Sequence, residues 1–385
     1  MSAPAKGLIS DSEKEKREDF GALSTPVILG LMLRAQDHVS DLIFSPGRTP
    51  QVETHGRLAF VDSLGSRVLT ADDTRRIASE LIGSNKPALN MLREQGSCDI
   101  SYGLPGVARF RVNVFIQRGS CAVIMRVIPG EIPTLASLGL PSHLRMIAGL
   151  RDGIVLVTGP RGSGKSSTLA AILDHINQET NCHIITIEDP IEFLHNHKRA
   201  TVHQRELHSD TPNLSLAVRA ALRQAPKVIM IGETQDRETI EMVLQAAETG
   251  HLVLTSMNTA DAAATVERIG NAFPASEQVA VRARFAKTVR LIISQRLIPG
   301  RNARRRVPAM EIVTSSHEVR ECITAGVNLR ENLGHAIRAG QADGMQHFDG
   351  EIEKLLRAGN VEFETALAHA ADSEALLKKF PRNGA

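Results

Sequence analysis

The stretch Gly159-Pro160-Arg161-Gly162-Ser163-Gly164-Lys165-Ser166-Ser167 fits the pattern G-x-x-x-x-G-K-[ST]. Each residue type there has a chemical reason. Glycines let successive backbone N–H groups converge on phosphate oxygens, and the start of a helix adds a favourable dipole. Lys165 can reach the β- and γ-phosphates, and the Ser166 hydroxyl can hold Mg²⁺. The flanks supply the context this role requires. A wholly apolar run, Ile154–Val157, leads in, and Leu169, Ile172, Leu173 and Ile176 at i, i+3, i+4 and i+7 mark a helix leading out. A glycine-rich turn before a helix is common on its own. The complete pattern between these flanks points to a bound nucleotide such as ATP.

Two further apolar runs end in carboxylates. Ile184–Ile187 passes into Glu188, Asp189 and Pro190, and Val228–Ile231 passes into Gly232 and Glu233. Open parallel sheets bind ligands at the carboxyl ends of their strands. Glu188, Asp189 and Glu233 are therefore expected on the same edge as the phosphate loop. There a carboxylate can orient or deprotonate an attacking water, and another can order the water around Mg²⁺. One acid after a strand is as readily an exposed turn or a helix cap. Three beside a phosphate loop favour the chemical role.

Stepping outward, the apolar runs at 154–157, 184–187, 228–231 and 252–254 alternate with helical stretches, which predicts a parallel sheet flanked by helices. The expected class is α/β. Upstream, Val27, Ile28, Leu31 and Met32 give helical spacing in a segment continuing to about Val39. Extended runs follow at 42–44, 51–54 and 58–61, then a helix at 71–82 with Asp72 and Asp73 in its first turn. More strands are expected at 100–102, 108–115 and 122–127. The alternation from Arg109 to Val114 buries one face and sets Arg109 and Arg111 together on the other. The expected layout is a charged tail over 1–20, an α+β domain over 21–128, a proline-punctuated linker over 129–145, and the α/β domain over 146–385, helical toward its end.

Composition narrows the function classes. A chain of 385 residues has room for about two domains. Hydrophobic residues at 42% and charged residues at 23% exclude a largely disordered chain and a coiled-coil rod. A net charge of +2 and an aromatic content of 3% argue against a nucleic-acid binder. No apolar run approaches the ~18–20 residues that span a bilayer, and the start of the chain has no apolar signal segment. Cys98, Cys121, Cys182 and Cys322 match no CxxC pair or zinc pattern, so reduced thiols in a cytosolic protein are expected. Arg301, Arg304, Arg305 and Arg306 lie between two apolar runs, as in a solvated hairpin tip. His195, His197, His203 and His208 are close in sequence, but i, i+2 spacing on a strand separates side chains. A solvated or interfacial stretch is expected there rather than a metal site.

The stretches VARFRVNVF (107–115), GPRGSGKSS (159–167), ITIEDPIEF (185–193), HQREL (203–207), GETQDRETI (232–240), AAETGHLVL (246–254) and DGMQHFD (343–349) resemble the secretion ATPase superfamily. The likeness is closest to the type IV pilus retraction ATPases (PilT-type), and it runs from about residue 30 to about residue 355. The resemblance implies an N-terminal PAS-like α+β domain, a RecA-like P-loop ATPase core with a helical C-terminal part, and a homo-hexameric ring. It implies ATP and Mg²⁺ as cofactors and hydrolysis that drives pilus retraction and twitching motility. Docking on the pilus platform protein at the cytoplasmic side of the inner membrane also follows from it, with a paralogous retraction ATPase as a further partner. By the same resemblance Glu188 and Asp189 form an aspartate box, Asp189 serving Mg²⁺ partly through water, and Glu233 is the Walker B glutamate and general base. Arg109 and Arg111 match arginines that approach the nucleotide across domains or subunits, where a guanidinium stabilises charge on the transferred phosphoryl group. The alternation alone reads these two as solvated residues on a strand.

The chain lacks the tetracysteine insertion and larger N-terminal extension of assembly and type II secretion ATPases, which favours the retraction branch. It departs from the family pattern in several places. Ala225-Pro226-Lys227 replaces Asp-Pro-Asp, and Thr234 and Gln235 stand where Met and Arg are usual. Ser256-Met257-Asn258-Thr259 replaces Thr-Leu-His-Thr, and 317–324 only loosely echoes the family's retraction segment. Ala225 and Lys227 precede their strand, away from the phosphate edge, whereas Gln235 and Asn258 follow theirs. Asn258 donates and accepts hydrogen bonds but cannot carry a positive charge or shuttle a proton near neutral pH. Gln235 exchanges a guanidinium for a neutral amide. Losing one transition-state contact of this kind typically costs about 10²–10³ in rate. Beside a retraction motor, two readings stay open: a catalytically weakened ATP-binding paralogue that modulates a partner ring, and a secretion ATPase of the same superfamily.

Overall fold

The computed structural model describes residues 23–128, 130–301 and 306–380, and the chain divides after Gly130 into two compact units. The charged tail expected over 1–20 lies outside the described residues, as do Pro129, Arg304 and Arg305.

The first unit contains α1 (Thr25–Leu33), β1 (Val39–Phe44), β2 (Gln51–Thr54), β3 (Arg57–Phe60), α2 (Ala71–Ile82), α3 (Lys86–Gln95), β4 (Ser97–Leu104), β5 (Ala108–Gln117) and β6 (Ser120–Ile128). Its six strands form an antiparallel sheet in the order β3-β2-β1-β6-β5-β4. One core joins Ile28 and Met32 of α1, Ile77 and Leu81 of α2, and the alternating Phe110, Val112 and Val114 of β5. A capping box starts α2: the Thr70 hydroxyl accepts from Asp73 N at 3.1 Å, and the Asp73 carboxylate accepts from Thr70 N at 2.9 Å. The first helix ends at Leu33, short of the expected 39, because its apolar spacing runs out after Met32 and Val39 already pairs with Thr54 of β2. Helix α3 is absent from the sequence reading. Only Ala88 on it is fully buried, while Leu89 and Leu92 pack half-buried against the same core.

The second unit begins with β7 (Gly153–Thr158), α4 (Lys165–Glu179), β8 (His183–Glu188), β9 (Thr201–Glu206), α5 (Leu214–Ala221), β10 (Val228–Ile231), α6 (Arg237–Glu248) and β11 (Leu252–Met257). It continues with α7 (Ala262–Asn271), α8 (Ala275–Thr288), β12 (Val289–Pro299), β13 (Arg306–Thr314), α9 (His317–Ala325), α10 (Leu329–Ala339), α11 (Phe348–Arg357), α12 (Phe363–His369) and α13 (Ser373–Lys379). The sheet order is β13-β12-β7-β11-β10-β8-β9, parallel throughout except for the β12–β13 hairpin. Every residue of β7, β10 and β11 is buried. Ile154 and Leu156 face one core while Val155 and Val157 face the other, which explains why the sequence shows apolar runs without alternation.

The stretch expected as a linker does structural work at its C-terminal end. Leu135, Leu140, Leu144 and Ile147 are buried with Leu169, Ile172, Leu173 and Ile176 of α4. Helices α11 to α13 form a small separate core with Ile298 and Ala309 of the hairpin. Where the chain leaves β12 for the hairpin turn, Arg301 pairs with Glu362 at 3.0 Å. The cysteines form no disulfide. Among the described residues no helix is long and apolar enough to cross a membrane.

One glycine fixes how α9 ends. Gly326 closes the helix in the left-handed region (φ 67°), and a Cβ there would overlap the Arg282 side chain of α8. Gly326→Ala therefore combines backbone strain with displacement of a packed guanidinium, and is expected to destabilise by about 1–3 kcal/mol. Denaturant unfolding of the variant beside the parent chain checks this.

Candidate nucleotide site

Strand register brings the chemistry to one edge. Ile231 of β10 lies beside Ile187 of β8 and Thr255 of β11, and Met257 of β11 lies beside Thr158 of β7. The residues that follow these ends (Glu188, Glu233, Asn258 and Gly159) are thereby neighbours on the carboxyl edge. A cavity of about 910 Å³ opens there. Its charged lining is lopsided: Glu188, Asp189, Glu192, Glu233, Asp236 and Glu238 face only Arg161 and Lys165.

The phosphate loop is held from below by β12. Gly159 has φ 145°, and a Cβ on it would overlap the Gln295 carbonyl oxygen and the Ser163 hydroxyl. Gln295 is buried and ties the loop to the helix behind it. Its Nε2 donates to the Ser163 carbonyl at 2.7 Å, and its Oε1 accepts from the Thr168 hydroxyl at 2.8 Å. One residue earlier on each strand, the Thr158 hydroxyl donates to Ser294 Oγ at 2.9 Å. Lys165 folds back along the loop, its Nζ donating to the Gly159 and Pro160 carbonyls at 3.0 Å each. Burial lowers its pKa from the ordinary lysine value, while Glu233 and Glu192 pull it back up. Arg306, at the start of β13, reaches the Gly162 carbonyl at 3.4 Å.

The carboxylates are restrained differently. Glu188 is buried, and its Oε1 accepts from the Thr186 hydroxyl at 2.6 Å and from Gln204 Nε2 at 3.0 Å. Burial raises its pKa, and those hydrogen bonds oppose the rise. Gln204 also donates to the Phe193 carbonyl and accepts from His195 N, both at 2.8 Å, so it braces the loop after β8. Asp236 caps α6, and its bonds from Thr239 N and the Thr239 hydroxyl, each 2.8 Å, hold its carboxyl below the ordinary range. Glu233 accepts from the Asn258 side-chain amide. Thr234 turns inward, its N–H donating to the Ser256 carbonyl and its hydroxyl meeting that of Thr255, both at 2.8 Å.

Gln235 lines the cavity, and its carbonyl accepts from Arg268 at 3.1 Å. The nearby Arg237 is paired with Glu277 at 2.9 Å and lies over the Phe273 ring. Arg109 and Arg111 stand on β5 of the first unit, Arg111 opposite Arg126 of β6, and all residues lining the cavity belong to the second unit. Ser163 is buried beneath the loop, whereas Pro160, Arg161 and Gly162 are exposed on it. The histidines part company. His195, in the stretch expected to be solvated or interfacial, is buried in the cavity wall, and burial pushes its pKa down to about 4. His203 instead meets His183 at 2.9 Å on the exposed side of β8 and β9.

Spacing gave no sign of Gln295 or Glu311, because each bonds to residues far away in sequence, nor of Thr186, which meets Glu188 on its own strand. Glu311 of β13 accepts from Ala262 N, at the start of α7, at 2.8 Å. Burial and the nearby Asp261 raise its pKa to about 7, against that hydrogen bond and the charges of Arg296 and Arg330.

The chain belongs to the type II/IV secretion system protein family, whose profile matches residues 106–360. It is 38% identical over 328 residues to a twitching motility protein of Neisseria gonorrhoeae, covering 85% of this chain and 86% of that one. It is also 38% identical over 336 residues to the type IV pilus retraction ATPase PilT of Pseudomonas aeruginosa, covering 87% and 95%. A crystal structure of the pilus retraction motor PilT with bound ADP matches with a TM-score of 0.82 at 37% identity, over 92% of this chain and 99% of that one. The fold class is accordingly α/β, a RecA-like P-loop core preceded by a PAS-like α+β domain.

Two outcomes follow from this geometry. Gln295→Ala strips partners from both Ser163 and Thr168, so stability should fall by about 1–3 kcal/mol. Calorimetric titration should show ADP affinity reduced about ten-fold as the loop loosens. For Glu311, the ordinary pKa of 4.5 is raised to about 7 in the fold. Its stabilising contribution is therefore full below the ordinary value and is lost as pH rises through about 7. Glu311→Gln should make stability less pH-dependent between those values, by about 1–3 kcal/mol. Denaturant melts at the two ends of the window measure it.

Proposed function

We propose that the chain is a Mg²⁺-dependent ATPase that assembles as a homo-hexamer and retracts a type IV pilus, so driving twitching motility. One observation carries the reading: a complete phosphate loop shares its sheet edge with Glu188, Asp189 and Glu233, in a chain similar over most of its length to a pilus retraction motor. Residues Gly159 to Ser167 would cradle the phosphates through backbone N–H groups and the start of α4. Lys165 would exchange the carbonyls of Gly159 and Pro160 for β- and γ-phosphate oxygens. The excess of carboxylates fits a hard cation with oxygen ligands, and Ser166 with Asp189, partly through water, would hold Mg²⁺ to neutralise phosphate charge.

Glu233 would accept the proton of the attacking water, with the Asn258 amide fixing the orientation of its carboxylate. Glu188, braced by Thr186 and Gln204, would order water around the phosphates. Arg109 and Arg111 would be supplied from across a domain or subunit boundary to stabilise the transferred phosphoryl group. The partners would be a pilus platform protein and a paralogous retraction ATPase, placing the ring in the cytoplasm against the inner membrane.

A second reading has an observation of its own. Arg237 is engaged with Glu277, so it does not stand in for the guanidinium that Gln235 replaces. That favours a weakened ATP-binding paralogue acting on a partner ring. Steady-state ATP hydrolysis by the full chain with Mg²⁺ separates the two. The motor reading expects turnover that falls at least ~10²-fold in Lys165→Ala and in Glu233→Gln, with ADP binding kept in the latter. Tight nucleotide binding without turnover in the parent chain would favour the paralogue. Asn258→His is expected to introduce a new pH limb in turnover near the ordinary histidine value of about 6.5, which the parent lacks.

A further inference from the structure

We propose that Glu311 is a positioning residue for the Glu233–Asn258 pair, acting through the turn 258–262 that joins β11 to α7. This rests on the reading of Glu233 as the base. Asn258 opens the turn, and its amide donates to the Glu233 carboxylate. Ala262 closes it, and its N–H donates to Glu311 Oε1 at 2.8 Å. Between them the turn is stapled internally. The Thr259 and Thr265 hydroxyls meet at 2.6 Å, and Asp261 caps α7 by accepting from Ala264 N at 2.8 Å. Arg330 of α10 holds Asp261 from outside at 2.8 Å.

A half-buried carboxylate on β13 needs a reason, because withdrawing an acid from water is costly unless it is hydrogen-bonded. Among the described residues no dedicated ion partner is supplied. Arg330 is bonded to Asp261, and Arg296 lies over the Phe348 ring at 4.0 Å, although both charges act on Glu311 at longer range. Asp261 adds a like charge on the same side. What the carboxylate does gain is an N–H at the helix start, where intrahelical acceptors are missing and negative charge is favoured.

Register then connects this contact to the other half of the site. Glu311 pairs with Ser294 of β12, and Ser294 accepts from Thr158, the last residue before the phosphate loop. The same hairpin therefore holds Lys165's loop through Ser294 and Gln295, and the turn bearing Asn258 through Glu311. Phosphate loop and base are set against one rigid frame.

The full chain, Glu311→Ala and Glu311→Gln would be compared with MgATP for kcat and KM, with ADP for affinity, and by amide hydrogen exchange over 232–236 and 256–264. Glu311→Ala is expected to lower kcat about ten-fold, because small misplacements of reacting groups are expensive. KM and ADP affinity should stay within about two-fold of the parent, as the phosphate loop keeps Gln295. Glu311→Gln, which keeps an acceptor oxygen, should recover most of the lost turnover. Exchange should quicken in both segments for the alanine variant and in neither for the glutamine variant. An unchanged kcat in Glu311→Ala overturns the proposal. So does faster exchange confined to 256–264, or a parallel loss of stability, ADP affinity and turnover in both variants. Should the parent chain hydrolyse no ATP, the motor reading fails, and the exchange comparison still decides whether Glu311 governs the segment around Glu233.

Discussion

A phosphate-binding loop has to hold several backbone N–H groups outward in a fixed curve whether or not an anion is there to satisfy them. Such a curve is unfavourable for a free chain, since exposed polar backbone would otherwise relax toward internal partners. Here the curve is imposed from beneath. Gly159 approaches the Gln295 carbonyl too closely for any side chain, and Gln295 then reaches under the loop to Ser163 and Thr168. That contact requires β12 to lie directly against β7, which requires both strands to be buried on their two faces. The order of the sheet, its apolar runs and the helices that cover them all serve this one close approach.

The same edge must tolerate many carboxylates without binding their charge to the protein's own cations. It does so by giving three of them separate restraints. Glu188 is buried against Thr186 and Gln204, Asp236 is used as a helix cap, and Glu233 meets the neutral Asn258. Lys165 meanwhile rests on carbonyls of its own loop rather than on an acid. A lysine locked into a buried ion pair would have to break it before meeting phosphate, and breaking such a pair is costly. Carbonyl partners are exchanged more cheaply, so this arrangement leaves the positive charge available.

Much of this was legible in the sequence, and the reasons are physical. Buried parallel strands have no alternation to read, yet their uninterrupted apolar runs at 154–157 and 228–231 mark them well, and the residues after them inherit a common edge. Helix α2 was visible because acidic residues in its first turn and a strong apolar stripe coincide. Contacts that depend on which strands are neighbours were hidden. Nothing near Gln295 hints that it lies under residue 163, and Glu311 reads as an ordinary polar residue on an edge strand. The burial of His195 was also hidden: its sequence neighbours read as a solvated or interfacial stretch, while its backbone N–H donates to Gln204 and its imidazole is buried. The early end of α1 shows the limit of weak amphipathic patterns, where tertiary pairing decides the boundary.

Asn258 and Gln235 take on a common meaning once the charges of the edge are seen together. Each stands where the family pattern has a group able to carry positive charge, and each leaves the cavity more acidic than that pattern. A site with this surplus attracts cations more strongly, because carboxylates left uncompensated beside protein interact at a lower effective dielectric than in bulk water. Asn258 does not supply charge, but it does supply geometry, since its amide fixes Glu233 without competing for a proton. The two replacements thus shift the balance of the site from internal neutralisation toward neutralisation by what binds there.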